Sequence, residues 1–151
     1  MSDLARHSHA NFLTSDKAHY VNSRPHGPAA DFNGDGVPDL AVSNSGCHLS
    51  TPSKTVSVLL GNGDGTFQAA VDYPAGCDST SVTAADLNGD GSLDLAFANQ
   101  GGSGVSVFLG NGDGTFQASL TFGVGIAPRS VAVGDFNADG KPDLAVANRG
   151  T

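Results

Sequence analysis

Short apolar runs along this chain are separated by runs of Gly, Asp, Asn and Ser. In the run VSVFL, Val105, Val107 and Leu109 fall on one face and the residues between them on the other, which is the two-residue period of a β-strand. SVTAA and LAFAN flank one polar stretch, and SVAVG and LAVAN flank another. These runs are brief, small or β-branched, and closed by turn formers, so they read as strands joined by tight loops. Across the middle of the chain the pattern predicts four strands, over residues 67–73, 81–85, 93–98 and 105–109. The predicted class is all-β.

The same pattern returns. GNGDGTFQA occurs at residues 61–69 and again 49 residues later, and the polar stretches beginning at Asp86 and Asp135 are also 49 apart. Asp31 opens an earlier polar stretch, 55 residues before Asp86; the extra six residues lie in the run SGCHLSTPSKT after the first LAVSN. An insertion in one inter-strand turn leaves a repeat intact. Phe12, Phe67 and Phe116 each precede the next polar stretch by 19 residues, which makes FLTSDKAHYVNSRPHGPAA a worn first copy. Pro25 and Pro28 weaken its strands. The units are then residues 12–66 with an insertion at 46–54, residues 67–115 and residues 116–151, after an N-terminal segment 1–11. Four antiparallel strands in a unit of this length suggest propeller-type blades, two complete and one lacking its last strand.

The three polar stretches carry the candidate chemistry. They read DFNGDGVPD, DLNGDGSLD and DFNADGKPD. Oxygen-bearing side chains stand at positions one, three, five and nine: Asp31, Asn33, Asp35, Asp39; Asp86, Asn88, Asp90, Asp94; Asp135, Asn137, Asp139, Asp143. Position six is Gly each time, which allows the tight turn that gathers oxygens around a hard cation. Position seven (Val37, Ser92, Lys141) varies freely, as a residue contributing only its backbone carbonyl can. An EF-hand would need an acid at position twelve, where Val42, Phe97 and Val146 stand, and a helix on each side. One such loop alone could be a plain Asx-rich turn. Three in one register point to about three calcium ions in strand–loop–strand hairpins.

Composition sharpens this picture. All 15 acidic residues are Asp, nine of them in these loops, so the net charge of −8 is mostly ligand charge; three divalent ions would bring −8 to −2. There is no basic patch for nucleic acid. No apolar run approaches a membrane-spanning length. Residues 1–13 lack the apolar centre of a signal peptide. Open calcium loops suit millimolar extracellular calcium, which favours a secreted or cell-surface location.

The stretches DFNGDGVPDLAVSN, DLNGDGSLDLAFAN and DFNADGKPDLAVAN, with the two GNGDGTFQ runs, resemble the FG-GAP/VCBS repeat family, related to the integrin α-subunit β-propeller. The resemblance covers nearly everything from Phe12 to Asn148. It implies calcium in each blade's first hairpin loop, and a module that binds proteins or sugars, or acts as a scaffold, and is not catalytic. Family propellers commonly have about six to eight blades; this chain has two complete units and part of a third.

Other residues add less. Cys47 and Cys77 lie in loops at a boundary between adjacent units, where a disulfide would staple them outside the cytosol; the alternative is two free thiols. Asp64 and Asp113 lack companion carboxylates and read as turn residues. His7 and His9 could chelate a metal only from an ordered tail, and no nucleophile–base–orienter set can be assembled, which leaves a hydrolase the weakest reading. A sugar-binding lectin is the alternative to a structural or adhesion module, but there is no Trp and only Tyr20 and Tyr73 to supply platforms. An incomplete last unit leaves an unpaired edge. The expectation is head-to-tail self-association into a ring or filament, with segment 1–11 of one subunit completing the last unit of the next.

Overall fold

The computed structural model describes residues 12–14, 17–19, 29–44, 55–76 and 78–150. The chain forms twelve strands among them: β1 Phe12–Thr14, β2 Lys17–His19, β3 Ala29–Ala30, β4 Asp39–Asn44, β5 Thr55–Leu59, β6 Val71–Pro74, β7 Ser79–Ala85, β8 Asp94–Asn99, β9 Gly104–Phe108, β10 Leu120–Gly123, β11 Ile126–Gly134 and β12 Asp143–Gly150. Every pairing is antiparallel and joins strands consecutive in sequence. β3 to β6 make one four-stranded meander and β7 to β10 a second, while β11 and β12 pair alone, as do β1 and β2. A single 3-10 turn, Gln100–Gly102, joins β8 to β9. No helix among the described residues is long and apolar enough to cross a membrane.

The all-β class and the count of two complete units and one incomplete unit agree with the sequence. The phase of the sheets differs from it. The sequence pattern places a strand over residues 67–73 at the start of a unit, yet Val71–Pro74 closes the preceding sheet, with Val58 opposite Val71 and Val56 opposite Tyr73. The reason lies in the GNGDGT turn. Asn62 N–H donates to the Thr66 carbonyl and Gln68 N–H to the Leu60 carbonyl, so the chain reverses and runs back along β5. Phe67 and Phe116 sit in isolated bridges to Gly61 and Gly110. Phe12–Thr14 instead pairs with Lys17–His19 in a hairpin of its own.

The sheets pack face to face. In β8, Leu95 and Phe97 join one core cluster, with Ala41, Val56 and Val58 of the first sheet, while Ala96 and Ala98 face another, with Val105, Val107 and Val131. This is why LAFAN reads as a continuous apolar run: all six residues of β8 are buried, the large ones on one face and the small ones on the other. The fully buried Phe97 and Phe108 meet edge to face at 5.6 Å. Removing each such ring from water contributes about 1.5–3 kcal/mol. The third pair, β11 and β12, lays Val131, Leu144 and Val146 against the second sheet and leaves Ala145 and Ala147 exposed.

Candidate metal-binding loops

Each Asp-rich loop is the hairpin connection between two paired strands: β3 and β4, β7 and β8, β11 and β12. The backbone closes on the first Asp. Asp31 Oδ1 accepts from the N–H groups of Gly34 and Asp35 at 2.7 and 3.1 Å, and its Oδ2 from Gly36 at 2.8 Å. The Asp86 carboxylate repeats these contacts with Gly89, Asp90 and Gly91. Position six requires a left-handed backbone, and Gly36, Gly91 and Gly140 supply it at φ near 80–87°. The third loop differs at position four, where Ala138 takes φ 61° and the other loops have Gly. Among the described residues, Asp135 accepts from Asp139 and Gly140 and from no residue at position four.

Position five is tied in the same way. Asp35, Asp90 and Asp139 each accept the N–H of position seven (Val37, Ser92, Lys141) on Oδ1, and the side-chain amide of position three (Asn33, Asn88, Asn137) on Oδ2. The Gly36 N–H, followed by weaker contacts to neighbouring N–H groups, holds the Asp31 carboxyl below the usual carboxylate range. The N–H of Ser92 and then the Asn88 amide do the same for Asp90. Asp31 and Asp90 are therefore poised to stay ionised.

The ninth position behaves differently. Asp39 and Asp94 are fully buried and bridge two parts of the sheet. Asp39 accepts from Phe32 N–H within its loop and from Gly61 N–H at the end of β5, both at 2.8 Å. Asp94 accepts from Leu87 and Gly110, again at 2.8 Å. Asp143 accepts from Phe136 at 3.0 Å, and among the described residues no third strand brings it a second donor. The sequence pattern marks these aspartates as ligands and misses their bridging role, because the partner glycine is distant in the chain.

A second polar residue recurs at a fixed place in each repeat. Asn44, Asn99 and Asn148 close the LAVSN, LAFAN and LAVAN runs. Asn44 donates to Ser57 on β5, and Asn99 to Ser106 on β9, at 2.8 and 2.7 Å. The recurrence of that Asn was the available signal. Asp64 and Asp113 are turn residues, as read: each accepts the hydroxyl and the N–H of the Thr two residues on, and these contacts, the hydroxyl's first, hold its carboxyl low.

Every side-chain donor at positions one, three, five and nine is a hard oxygen, and the carbonyls of Val37, Ser92 and Lys141 would be too, which is the ligand chemistry of calcium. The arrangement is that of a loop closed by its own N–H groups: among the described residues, no three acidic, His or Cys side chains are gathered as a metal cluster. A carboxylate oxygen that accepts one N–H keeps a second lone pair. The donor set thus fits a calcium ion in kind, and ligation would turn side chains that now face one another. Cys47 and Cys77, segment 1–11, and His7 and His9 lie outside the described residues.

The two complete sheets are locked at these loops. The turn after β9 rests on the first loop: Gly114 N–H donates to the Phe32 carbonyl, and Phe116 meets Phe32 edge to face at 5.6 Å. An Asp-rich hairpin loop and a four-stranded meander recur, and the second GNGDGTF turn caps the first unit's loop. A family model described as FG-GAP-like repeat matches residues 31–97 and again residues 86–146. The chain belongs to the FG-GAP-like repeat family. Both matches begin at the first Asp of a loop, so the FG-GAP-like repeat is phased on these hairpins and overlaps from one sheet into the next. No curated protein matches the chain.

Proposed function

We propose that this chain is a non-catalytic, calcium-stabilised module of propeller type that serves adhesion or assembly outside the cell. The observation that supports it is threefold repetition: Asp, Asn, Asp and Asp at positions one, three, five and nine, on a loop whose position-six Gly is left-handed in every copy. Asp31, Asn33, Asp35 and Asp39 with the Val37 carbonyl would hold one ion. Asp86, Asn88, Asp90 and Asp94 with the Ser92 carbonyl would hold the second, and Asp135, Asn137, Asp139 and Asp143 with the Lys141 carbonyl the third. A bound ion screens three carboxylates that repel one another and fixes the hairpin from which each sheet starts. The ion's part is structural; the chain's part is to present its sheet surfaces to a partner.

Calorimetric titration of the chelated chain with calcium tests this reading. Uptake of about three ions is expected, with a rise in melting temperature, because a ligand that binds only the folded state stabilises it. Asp90→Ala should remove one ion. No uptake at millimolar calcium would overturn the reading.

A further inference from the structure

One short turn touches two of the Asp-rich loops. Residues 110–116 follow β9 and close on the bridge between Gly110 and Phe116. The start of the turn is held by the second loop. Gly110 N–H donates at 2.8 Å to Asp94, the ninth-position acid. A Cβ on Gly112 would lie 3.0 Å from the hydroxyl oxygen of Ser92, position seven of that loop. The far end is held by the first loop. Gly114 N–H donates at 3.0 Å to the Phe32 carbonyl, and Phe116 meets Phe32 edge to face. A Cβ on Gly114 would stand 3.4 Å from that of Asn33, position three, and 2.7 and 2.9 Å from the methyl carbons of Leu60. Phe32 N–H in turn donates to Asp39, the first loop's ninth-position acid. Tyr73 of the first sheet fixes the same end: its hydroxyl accepts Phe116 N–H at 3.2 Å and its ring meets Phe116 edge to face at 5.7 Å.

Between these anchors the turn is closed on itself. Asn111 N–H donates to the Thr115 carbonyl, the Asn111 amide to the Thr115 hydroxyl, and that hydroxyl to Asp113. Gly114 and Phe116 are buried. A stiff segment set in close-packed surroundings cannot let one anchor shift and leave the other in place. Both anchors are candidate ligands or their direct neighbours: Asp94 and Ser92 on one side, Asn33 and Phe32 on the other. The sign of the coupling follows from the docked state seen here. An ion that fixes Asp94 also fixes Gly110, and with it the turn that holds the Phe32 and Asn33 end of the first loop. Part of the ordering that the first loop needs is then already met when the second ion arrives. By linkage the effect runs equally in the other direction.

We propose that residues 110–116 are a strap that couples the first two loops, so that a calcium ion in one raises the affinity of the other. The inference rests on the calcium reading above and adds an order to it. The Asp31 and Asp86 loops fill as a pair. The Asp135 loop, which the strap does not touch among the described residues, fills independently of them. Gly110, Gly114 and Phe116 are positioning residues and stand outside the candidate ligand set.

Calcium titration of the full chain, followed by the NMR amide signals of Gly36, Gly91 and Gly140, tests the strap. Each of these N–H groups donates to the first Asp of its own loop, so each reads one loop. Asp35→Ala disables the first loop. The Gly91 midpoint should then move to roughly tenfold higher calcium, within the usual range for coupled sites, while the Gly140 midpoint stays in place. Asp90→Ala should move the Gly36 midpoint by the same factor. Gly114→Ala puts a methyl group against Leu60 at a left-handed φ of 83°, and should bring both factors close to one. Phe116→Leu keeps the position apolar and removes the ring contacts, and should reduce both factors even if Gly114→Ala does not fold. A turn with a merely structural role would lower the melting temperature of these variants and leave the factors unchanged; that result would overturn the proposal. Three independent midpoints in a chain that takes up calcium would overturn the strap alone. No movement of the three signals at millimolar calcium would overturn the calcium reading and the strap with it.

Discussion

Replacing the ninth-position Asp by Asn keeps the side chain's shape while removing its charge and one of its two acceptor oxygens. Asp94 is fully buried and accepts two backbone N–H groups, one on each oxygen, from Leu87 and Gly110. In Asp94→Asn one of those oxygens becomes an NH2 group that faces an N–H. The change removes a charge-assisted hydrogen bond, worth about 1.5–3 kcal/mol, and strands a buried donor, so the expected loss is about 3 kcal/mol. Asp39→Asn should cost the same, because Asp39 bridges Phe32 and Gly61 in the same way. In Asp143→Asn the remaining oxygen can keep the one N–H, from Phe136, while the amide turns outward. That loss should stay under about 1 kcal/mol. The difference between the sites, about 2 kcal/mol, is roughly a 30-fold change in the folded-to-unfolded ratio. Urea unfolding in excess chelator reads it directly, since no metal ligation contributes there. If the loops bind calcium, repeating the series in calcium should widen each variant's deficit from the wild-type chain, since each variant loses a ligand. If Asp143→Asn in chelator destabilises as much as Asp94→Asn, the bridging role assigned to the buried aspartates is wrong.

Three further outcomes are expected. Asp31, Asp64, Asp90 and Asp113 have folded carboxyls held below the ordinary 3.8, so between the folded and unfolded values the unfolded chain binds more protons. Their stabilisation is therefore present above about pH 4 and lost as pH falls through the lower folded values; Asp113→Asn should flatten the acid limb of a chelator-treated unfolding profile. Ala138→Gly should raise stability by about 0.5–1 kcal/mol by relieving a left-handed alanine, and a lower melting temperature would refute this. A Cys47–Cys77 bridge would make the non-reduced chain lighter by two hydrogens, and full alkylation of both thiols without reductant would rule it out.

The elements themselves were legible because strand and loop chemistry alternate so sharply. VSVFL, LAFAN and SVAVG each declare a strand, and the Asp-Asn-Asp-Gly runs declare the hairpins between them. Which strand belongs to which sheet was not legible. Val71–Pro74 could pair with either neighbour, and the choice is made by the hydrogen bonds of the GNGDGT turn, together with the Ser57 hydroxyl donated to Asp72 across the sheet. The loop ligand set was readable from spacing within nine residues. The bridge from Asp94 to Gly110 was not: its span of 16 residues becomes 22 in the first sheet, between Asp39 and Gly61, because the insertion lies between the partners. A fixed contact at a variable separation leaves no spacing signature.

The capping of one unit's loop by the next unit's turn makes the array directional in time. Phe32, under the turn that follows β9, is 3% exposed; Leu87 is half-buried; Phe136 is 63% exposed. When each unit contacts only its neighbours, opening events begin where the neighbour term is smallest. Fluctuations should therefore start at the Asp135 loop and travel back toward the Asp31 loop. Among the three Asp-rich loops, backbone amides should exchange with solvent fastest at the Asp135 loop, and under the calcium reading an ion held there should be the first to leave.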